Sequence, residues 1–420
     1  MTERLLQYIW QFQYFNKSEL TTAEGEPLQI IHSGAYNTNQ GADFLDAKIK
    51  IGNTLWAGSI ELHINSSDWN SHKHTDDKNY NNVILHVVWQ NNELVKLPFS
   101  TLVLQDRVSK LLLTKYNELM MANSFIPCEK NIHQVNELAW TSWKERLLVE
   151  RLQNKSATVA AYLKKNNNHW EETFWWMIAK NFGIKVNSDA FEKIAQSVSI
   201  NILAKHKNQI HQLEALLFGQ AGLLENDFTE DYPQLLQKEY RFFKSKYQLQ
   251  KIAAPLYFLR MRPANFPSVR LAQLAMLVHS SLHLFTLVKE SKTVKEVKEL
   301  LNVTANDYWH YHYLPDEPTV FKKKNVGTQM IDNILINTVV PVLFAYGQYH
   351  KENSYKDKAL QWLLEITAEK NSITRGFALL ATGNKNAFDS QSLIQLKNEY
   401  CDKKRCLDCA VGNALLKKPA

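Results

Sequence analysis

The hydrophobic pattern of this chain changes period once, near residue 130, and that change limits what the chain can fold into. Before it, "ADFLDAKIKIG" and "TLWAGSIELHI" alternate apolar and polar residues, as half-buried strands do. Gly52-Asn53 between them has the composition of a hairpin turn. "NVILHVVWQ" is a continuous apolar run, the signature of a strand buried on both faces. Beyond residue 130, "ELAWTSWKERLLVERLQNKSATVAAYLKK", "NHWEETFWWMIAKNFG" and "FEKIAQSVSINILAKHKNQIHQLEALLFGQAG" space their apolar residues at three and four. A period of two and a period near 3.6 place side chains on incompatible faces. The expectation is therefore an α+β domain over residues 1–128 and a large all-α domain over residues 129–420.

Two domains suit 420 residues, and a content of 45% hydrophobic and 22% charged residues is enough for a real core. Only 11 Pro and 13 Gly occur, so no flexible linker is expected between the domains. No apolar run reads as a membrane span. "MTERLLQYIWQFQYF" reads as an amphipathic helix over about 3–15, with an early Glu in place of a basic leader. The expected compartment is the cytoplasm. A net charge of +7 is compatible with nucleic acid as a partner.

Potential chemistry concentrates in "GSIELHINSSDWNSHKHTDDKNYNNVILHVVW", residues 58–89. Glu61 and His63 are two apart on a strand and share a face. Asp43 starts the preceding strand, and hairpin pairing brings it near Glu61. Two carboxylates and an imidazole at one strand end suit a divalent cation, Mg2+ or Mn2+. His72, Asp76 and Tyr80 stand at i, i+4 and i+8, so a helix over 72–82 presents them as one stripe, with His74 off it. His86, inside the apolar run, reads as a hydrogen-bonded core residue, and Asp68 as a turn or helix cap.

The order helix, strand, strand, strand, helix, strand resembles the αβββαβ core of the PD-(D/E)xK nuclease superfamily, which is built on a mixed sheet. "GADF" stands where that family has Pro-Asp, and "ELH" where it has Glu-x-Lys. The resemblance implies that Asp43 and Glu61 bind the metal. It also implies that His63 takes the place of the lysine that aligns the attacking water, with His72, His74, Asp76 and Tyr80 lining the site. Most of the chain also resembles an uncharacterised bacterial family, a domain of unknown function, through "YNTNQGADF", "GSIELHINSSDW", "HKHTDDKNYNNVILHVV", "FGQAG" and "RMRPANFPSVRLAQLA".

The four cysteines are Cys128, Cys401, Cys406 and Cys409, three of them in "CDKKRCLDC". Four thiolates suit Zn2+ or a 4Fe-4S cluster. Arg260, Arg262 and Arg270, with Lys403, Lys404 and Arg405, are the candidate phosphate contacts, although arginines in a helical domain serve buried networks equally well. The expected activity is a metal-dependent phosphodiesterase acting on nucleic acid. Two alternatives remain: a degenerate nuclease-like module that only binds nucleic acid or a protein, and a zinc-dependent hydrolase of a small substrate using the histidines.

Overall fold

A computed structural model describes the chain except for Lys73, Thr75, Asp76, Leu94, Ala254, Leu282, Ala381 and residues 418–420. It divides into two compact units. The first holds Met1–Trp143 and Lys397–Ala420, and the second holds Lys144–Leu396. The division expected at residue 128 thus falls at Trp143, and the last segment of the chain rejoins the first unit. Helical spacing near residue 130 marks where strands stop, not where the first core ends.

Helix α1 (Glu3–Phe12) opens the first unit. Thr2 caps it by accepting from the Leu5 N–H at 3.2 Å. It buries Leu5, Leu6, Tyr8, Ile9 and Trp10, and it stops at Gln13, which is left-handed at φ +54°. Among the described residues six strands follow: β1 (Leu28–His32), β2 (Ala35–Tyr36), β3 (Phe44–Ile51), β4 (Thr54–Asn65), β5 (Val83–Gln90) and β6 (Ser100–Val103). The sheet order is β1-β3-β4-β5-β6, with β2 paired to β3. β3 is antiparallel to β1 and β4, whereas β5 is parallel to β4 and β6, so the sheet is mixed. Gly52 (φ +55°) turns the expected hairpin at Gly52-Asn53, a conformation open to glycine at no steric cost.

The alternation in β3 is broken once. Asp46 adopts φ +58° and the register shifts between Phe44 and Ala47, which leaves Leu45 and Asp46 both exposed. This bulge keeps Phe44, Ala47 and Ile49 all inward. Helix α2 (Asp68–Ser71) connects β4 to β5, and α3 (Lys110–Met121) follows β6. The connection after β4 is not one helix over 72–82. His72 ends α2, Asp77 is extended, and a separate 3-10 turn covers Lys78–Tyr80. Helical spacing therefore does not align His72 with Tyr80, and Asp76 lies outside the described residues.

The second unit is built of helices around one apolar cluster that includes Phe174, Trp175, Phe218, Trp309 and Trp362. Its most apolar segment, Thr328–Tyr349, is long and apolar enough to cross a membrane, contrary to the sequence expectation. Some 78% of that span is buried inside the protein, as in a core helix. The segment is interrupted by a π-turn at Leu335–Val339. Pro341 explains it: without an N–H, and with a ring that clashes one turn back, proline cannot continue an α-helical ladder. The Lys155 ammonium donates to the Ile336 carbonyl at 3.4 Å and to Asn337 Oδ1 at 2.9 Å. Burial lowers the Lys155 pKa to about 7. Phe266 stands at the N-cap position of the helix Pro267–Ser280, and Ser268 is buried inside that helix, donating to the Tyr313 carbonyl.

Glu214 sits inside this core. It accepts from the Tyr232 hydroxyl at 2.7 Å and from the Trp309 indole N–H at 3.0 Å. Burial raises its pKa from 4.5 to about 7. A raised folded-state pKa means that the proton favours the fold. This stabilisation is full below about pH 4.5 and is lost as pH rises through about 7. Glu214→Gln keeps the acceptor and removes the titration. Urea unfolding at pH 5 and pH 8 is expected to show a pH-dependent loss in the wild type, smaller in the variant by roughly 2–4 kcal/mol.

Candidate metal centre on the sheet

Strand register assembles this site. Phe44 pairs with Ile60 across the antiparallel β3–β4 pair, which sets Asp43 opposite Glu61. The Asp43 N–H donates to Glu61 Oε2 at 3.0 Å, and the Leu62 N–H donates to Asp43 Oδ2 at 3.2 Å. The two carboxylates converge as their spacing predicts. The loop before Asp43 is pinned by Asn37, whose Nδ2 donates to the Ala42 carbonyl at 2.9 Å.

Helix α1 completes this corner. Gln7 Nε2 donates to Asp43 Oδ1 at 2.8 Å, and the Tyr36 hydroxyl donates to Gln7 Oε1 at 3.2 Å. Glu3, one turn before Gln7, adds negative charge that acts on both Asp43 and Glu61. Neither residue was singled out from sequence. The signal was a pair of polar side chains at i, i+4 on a helix that buries Leu5, Leu6, Tyr8, Ile9 and Trp10.

The parallel β4–β5 pair sets Glu61 beside His86. His63 Nδ1 lies 2.8 Å from His86 Nε2, and His63 Nε2 lies 3.1 Å from His72 Nδ1. Glu61 Oε1 is 3.6 Å from His63 Nε2 and 3.6 Å from His74 Nε2. One donor nitrogen from each of His63, His72 and His74 falls within 4.8 Å of the other two. Trp69 of α2 walls the group, with its ring 5.3 Å from that of His74 and 5.4 Å from that of His86. Tyr80 lies against His74 with ring centroids 3.9 Å apart. His74, expected to lie off the stripe, is thus at its centre. His86, expected in the core, is fully buried and also touches the site.

Burial raises the pKa of both carboxylates: Asp43 is raised further by Glu3, and Glu61 further by Asp43. Burial lowers His63 to about 2, reinforced by His86, His72 and His74, and lowers His86 to about 4. Burial, then the surrounding carboxylates, raises the Tyr80 phenol to about 12. Burial thus favours the neutral forms of His63, His74 and His86 and keeps the proton on the Tyr80 phenol beside them. Among the described residues, His74 Nε2 and His86 Nδ1 are buried without a hydrogen-bond partner. An orphaned nitrogen of this kind calls for a ligand, because burying it unpaired costs about 1–3 kcal/mol.

The candidate phosphate contacts lie elsewhere. Arg270 is buried, and its guanidinium donates to Gln273 Oε1 at 2.9 Å and Asn265 Oδ1 at 2.6 Å. Arg260 and Arg262 are exposed before the helix Pro267–Ser280. Lys403 pairs with Glu399 at 2.6 Å, Lys404 donates to the Met120 carbonyl, and Arg405 pairs with Asp408 at 3.1 Å. Asp43, Glu61, His63, His72, His74 and Tyr80 are brought together with His86, Glu3 and Gln7. The basic residues do not join them.

Neither the curated proteins nor the solved structures include a match to this chain. Residues 3–372 match the family model described as "Protein of unknown function (DUF2851)", and the chain belongs to that family.

Proposed function

We propose that the first unit is a metal-dependent phosphodiesterase, with nucleic acid as the substrate class and its cation held by Glu61, His63, His72 and His74. The observation that carries this reading is the convergence of three imidazole nitrogens within 4.8 Å, with Glu61 Oε1 3.6 Å from two of them. With metal–nitrogen bonds of about 2.0–2.1 Å, neighbouring ligands of a tetrahedral ion stand roughly 3.3 Å apart. The separations of 3.1, 3.6 and 3.6 Å bracket that edge. A donor set of three imidazoles and one carboxylate favours Zn2+ or Mn2+ over Mg2+.

Asp43 then serves as a positioning residue, because Gln7 and Leu62 occupy its oxygens while its own N–H orients Glu61. His86 accepts from His63 Nδ1–H, which leaves His63 Nε2 as the ligand atom. When bound, the cation supplies a Lewis acid for the phosphoryl oxygen and a water of lowered pKa. Tyr80, held protonated against the His74 ring, would be the proton donor of the site. The nuclease-like part of the reading is supported by the order α1, β1, β3, β4, α2, β5, interrupted only by the two-residue β2 between β1 and β3, with Asp43 ahead of β3 and Glu61-Leu62-His63 on β4.

The test incubates the full chain, loaded with Mn2+, Zn2+ or Mg2+, with single- and double-stranded DNA, RNA and bis-p-nitrophenyl phosphate. Cleavage by the wild type that is lost in His63→Ala supports the proposal. Binding without cleavage, unchanged by that substitution, overturns it in favour of a binding module. The imidazole-rich donor set favours the small-substrate hydrolase as second reading, and cleavage of small esters alone would establish it.

A further inference from the structure

The second unit contains a cavity of about 360 Å3, and every residue that lines it falls within Lys144–Leu396. Its walls come from the helix Glu137–Lys165, the helices Trp170–Phe182 and Ile184–Ser197, and the π-turn Leu335–Val339. That volume is at the small end of pockets that enclose a ligand. Lys155, Lys180 and Lys185 line it, and among the described residues no Asp, Glu or Arg does. Met177 and Ile184 give it an apolar patch.

The three ammonium groups are not equivalent. Lys180 already has a counter-charge, since it pairs with Glu192 Oε2 at 2.7 Å, and it also donates to the Tyr162 hydroxyl at 3.3 Å. Lys185 is exposed, on the solvent side of the cavity. Lys155 is half-buried, and its ammonium points inward to the π-turn. Its partners among the described residues are two neutral oxygens, the Ile336 carbonyl and Asn337 Oδ1, and it forms no ion pair there. An ammonium carries three donors, so one is left over. An enclosed charge is normally paired. Here the Arg151 charge acts on Lys155 more strongly than the opposing charge of Glu369.

The π-turn holds this ammonium in place, and such turns recur at functional sites. Asn337 is itself fixed by donating from Nδ2 to the Asn333 carbonyl at 3.2 Å. Asn181 Nδ2 donates to Thr338 Oγ1 at 3.1 Å, which ties the turn to the helix Trp170–Phe182. A donor fixed in advance loses little freedom when a ligand arrives. The residue types select the anion. Planar carboxylates are best met by the arginine fork, whereas lysines act on phosphate as point charges.

We propose that this cavity binds a small phosphate monoester, with its phosphate on the remaining donor of Lys155 and its organic part against Met177 and Ile184. Lys185 adds positive charge from the solvent side. The site lies in the unit that does not carry the histidines, so it stands apart from the metal centre and does not depend on its chemistry.

The experiment titrates phenyl phosphate into the full chain by isothermal calorimetry, with benzoate as the comparison. One phenyl phosphate is expected to bind per chain, and benzoate is expected to bind at least about tenfold more weakly. Lys155→Met removes the charged donor and is expected to weaken phenyl phosphate by about 10–100-fold. Asn337→Asp keeps the side-chain size and sets a carboxylate beside Lys155. It is expected to abolish binding while circular dichroism shows an unchanged fold, so the test stands even where Lys155→Met does not fold. His63→Ala is expected to leave binding unchanged, which separates this site from a phosphate held by the metal centre. Absence of phenyl phosphate binding by the wild type, unchanged affinity in a folded Asn337→Asp, or loss of binding in His63→Ala overturns the proposal. Benzoate binding as tightly as phenyl phosphate overturns the phosphate assignment in favour of a carboxylate site.

Discussion

His63→Ala is expected to abolish stoichiometric binding of a divalent ion at the sheet site, and with it any hydrolytic activity. His63 is buried at 1% exposure, and its two nitrogens face His72 on one side and His86 on the other. Truncation removes a ligand and the link to its outer partner together. His86→Ala separates the two effects. It leaves all the proposed ligands and removes only the group that orients His63, so ion affinity is expected to fall about 10–100-fold, with full loading restored at high metal. Isothermal titration of the chelated protein with Zn2+ and Mn2+ measures both. Equal affinities for wild type and His63→Ala would exclude the histidines as ligands.

Trp309→Ala is expected to be the most destabilising single change in the second unit. Trp309 is fully buried and stacks on Phe218 with centroids 4.7 Å apart. It also supplies one of the two hydrogen bonds to Glu214. Emptying a site of this size costs about 3–5 kcal/mol. The lost donor adds to that, because Glu214 is held where water cannot replace the bond. Trp309→Phe refills most of the volume and loses only the N–H, so a smaller loss of about 1–2 kcal/mol is expected. Denaturant unfolding followed by tryptophan fluorescence and circular dichroism measures the two steps. A Trp309→Ala protein as stable as the wild type would show that the pocket around this ring collapses freely.

Parts of this fold are legible residue by residue. Alternation located β3 and β4, Gly52-Asn53 located their hairpin, and the apolar run 83–90 located a strand covered on both faces. The helical spacing of the second unit was equally readable. The bulge at Asp46 was not, since one extra residue in a strand leaves no mark on composition. The connection after β4 was misread because His72, Asp76 and Tyr80 have helical spacing by number alone, while Asp77 is extended.

The site shows the same division more sharply. Local parity was sufficient to place Glu61 and His63 on one face, and hairpin geometry brought Asp43 to them. The arrival of His86 beside Glu61 depends on the register of a parallel pair, whose two strands are joined only through the intervening helix and turns. Glu3 and Gln7 reach the site because α1 packs on β4. The cysteines were legible as a set of donors, but their assembly in one unit depends on the chain leaving that unit at Trp143 and returning at Lys397.

The sequence by itself determined periods, turns and donor types, because backbone sterics and side-chain direction act over a few residues. Tertiary structure alone decided which strand lies beside which, where the chain re-enters its first unit, and which imidazoles meet Glu61. Those outcomes are set by burial of apolar surface between distant segments, and no spacing along the chain encodes it.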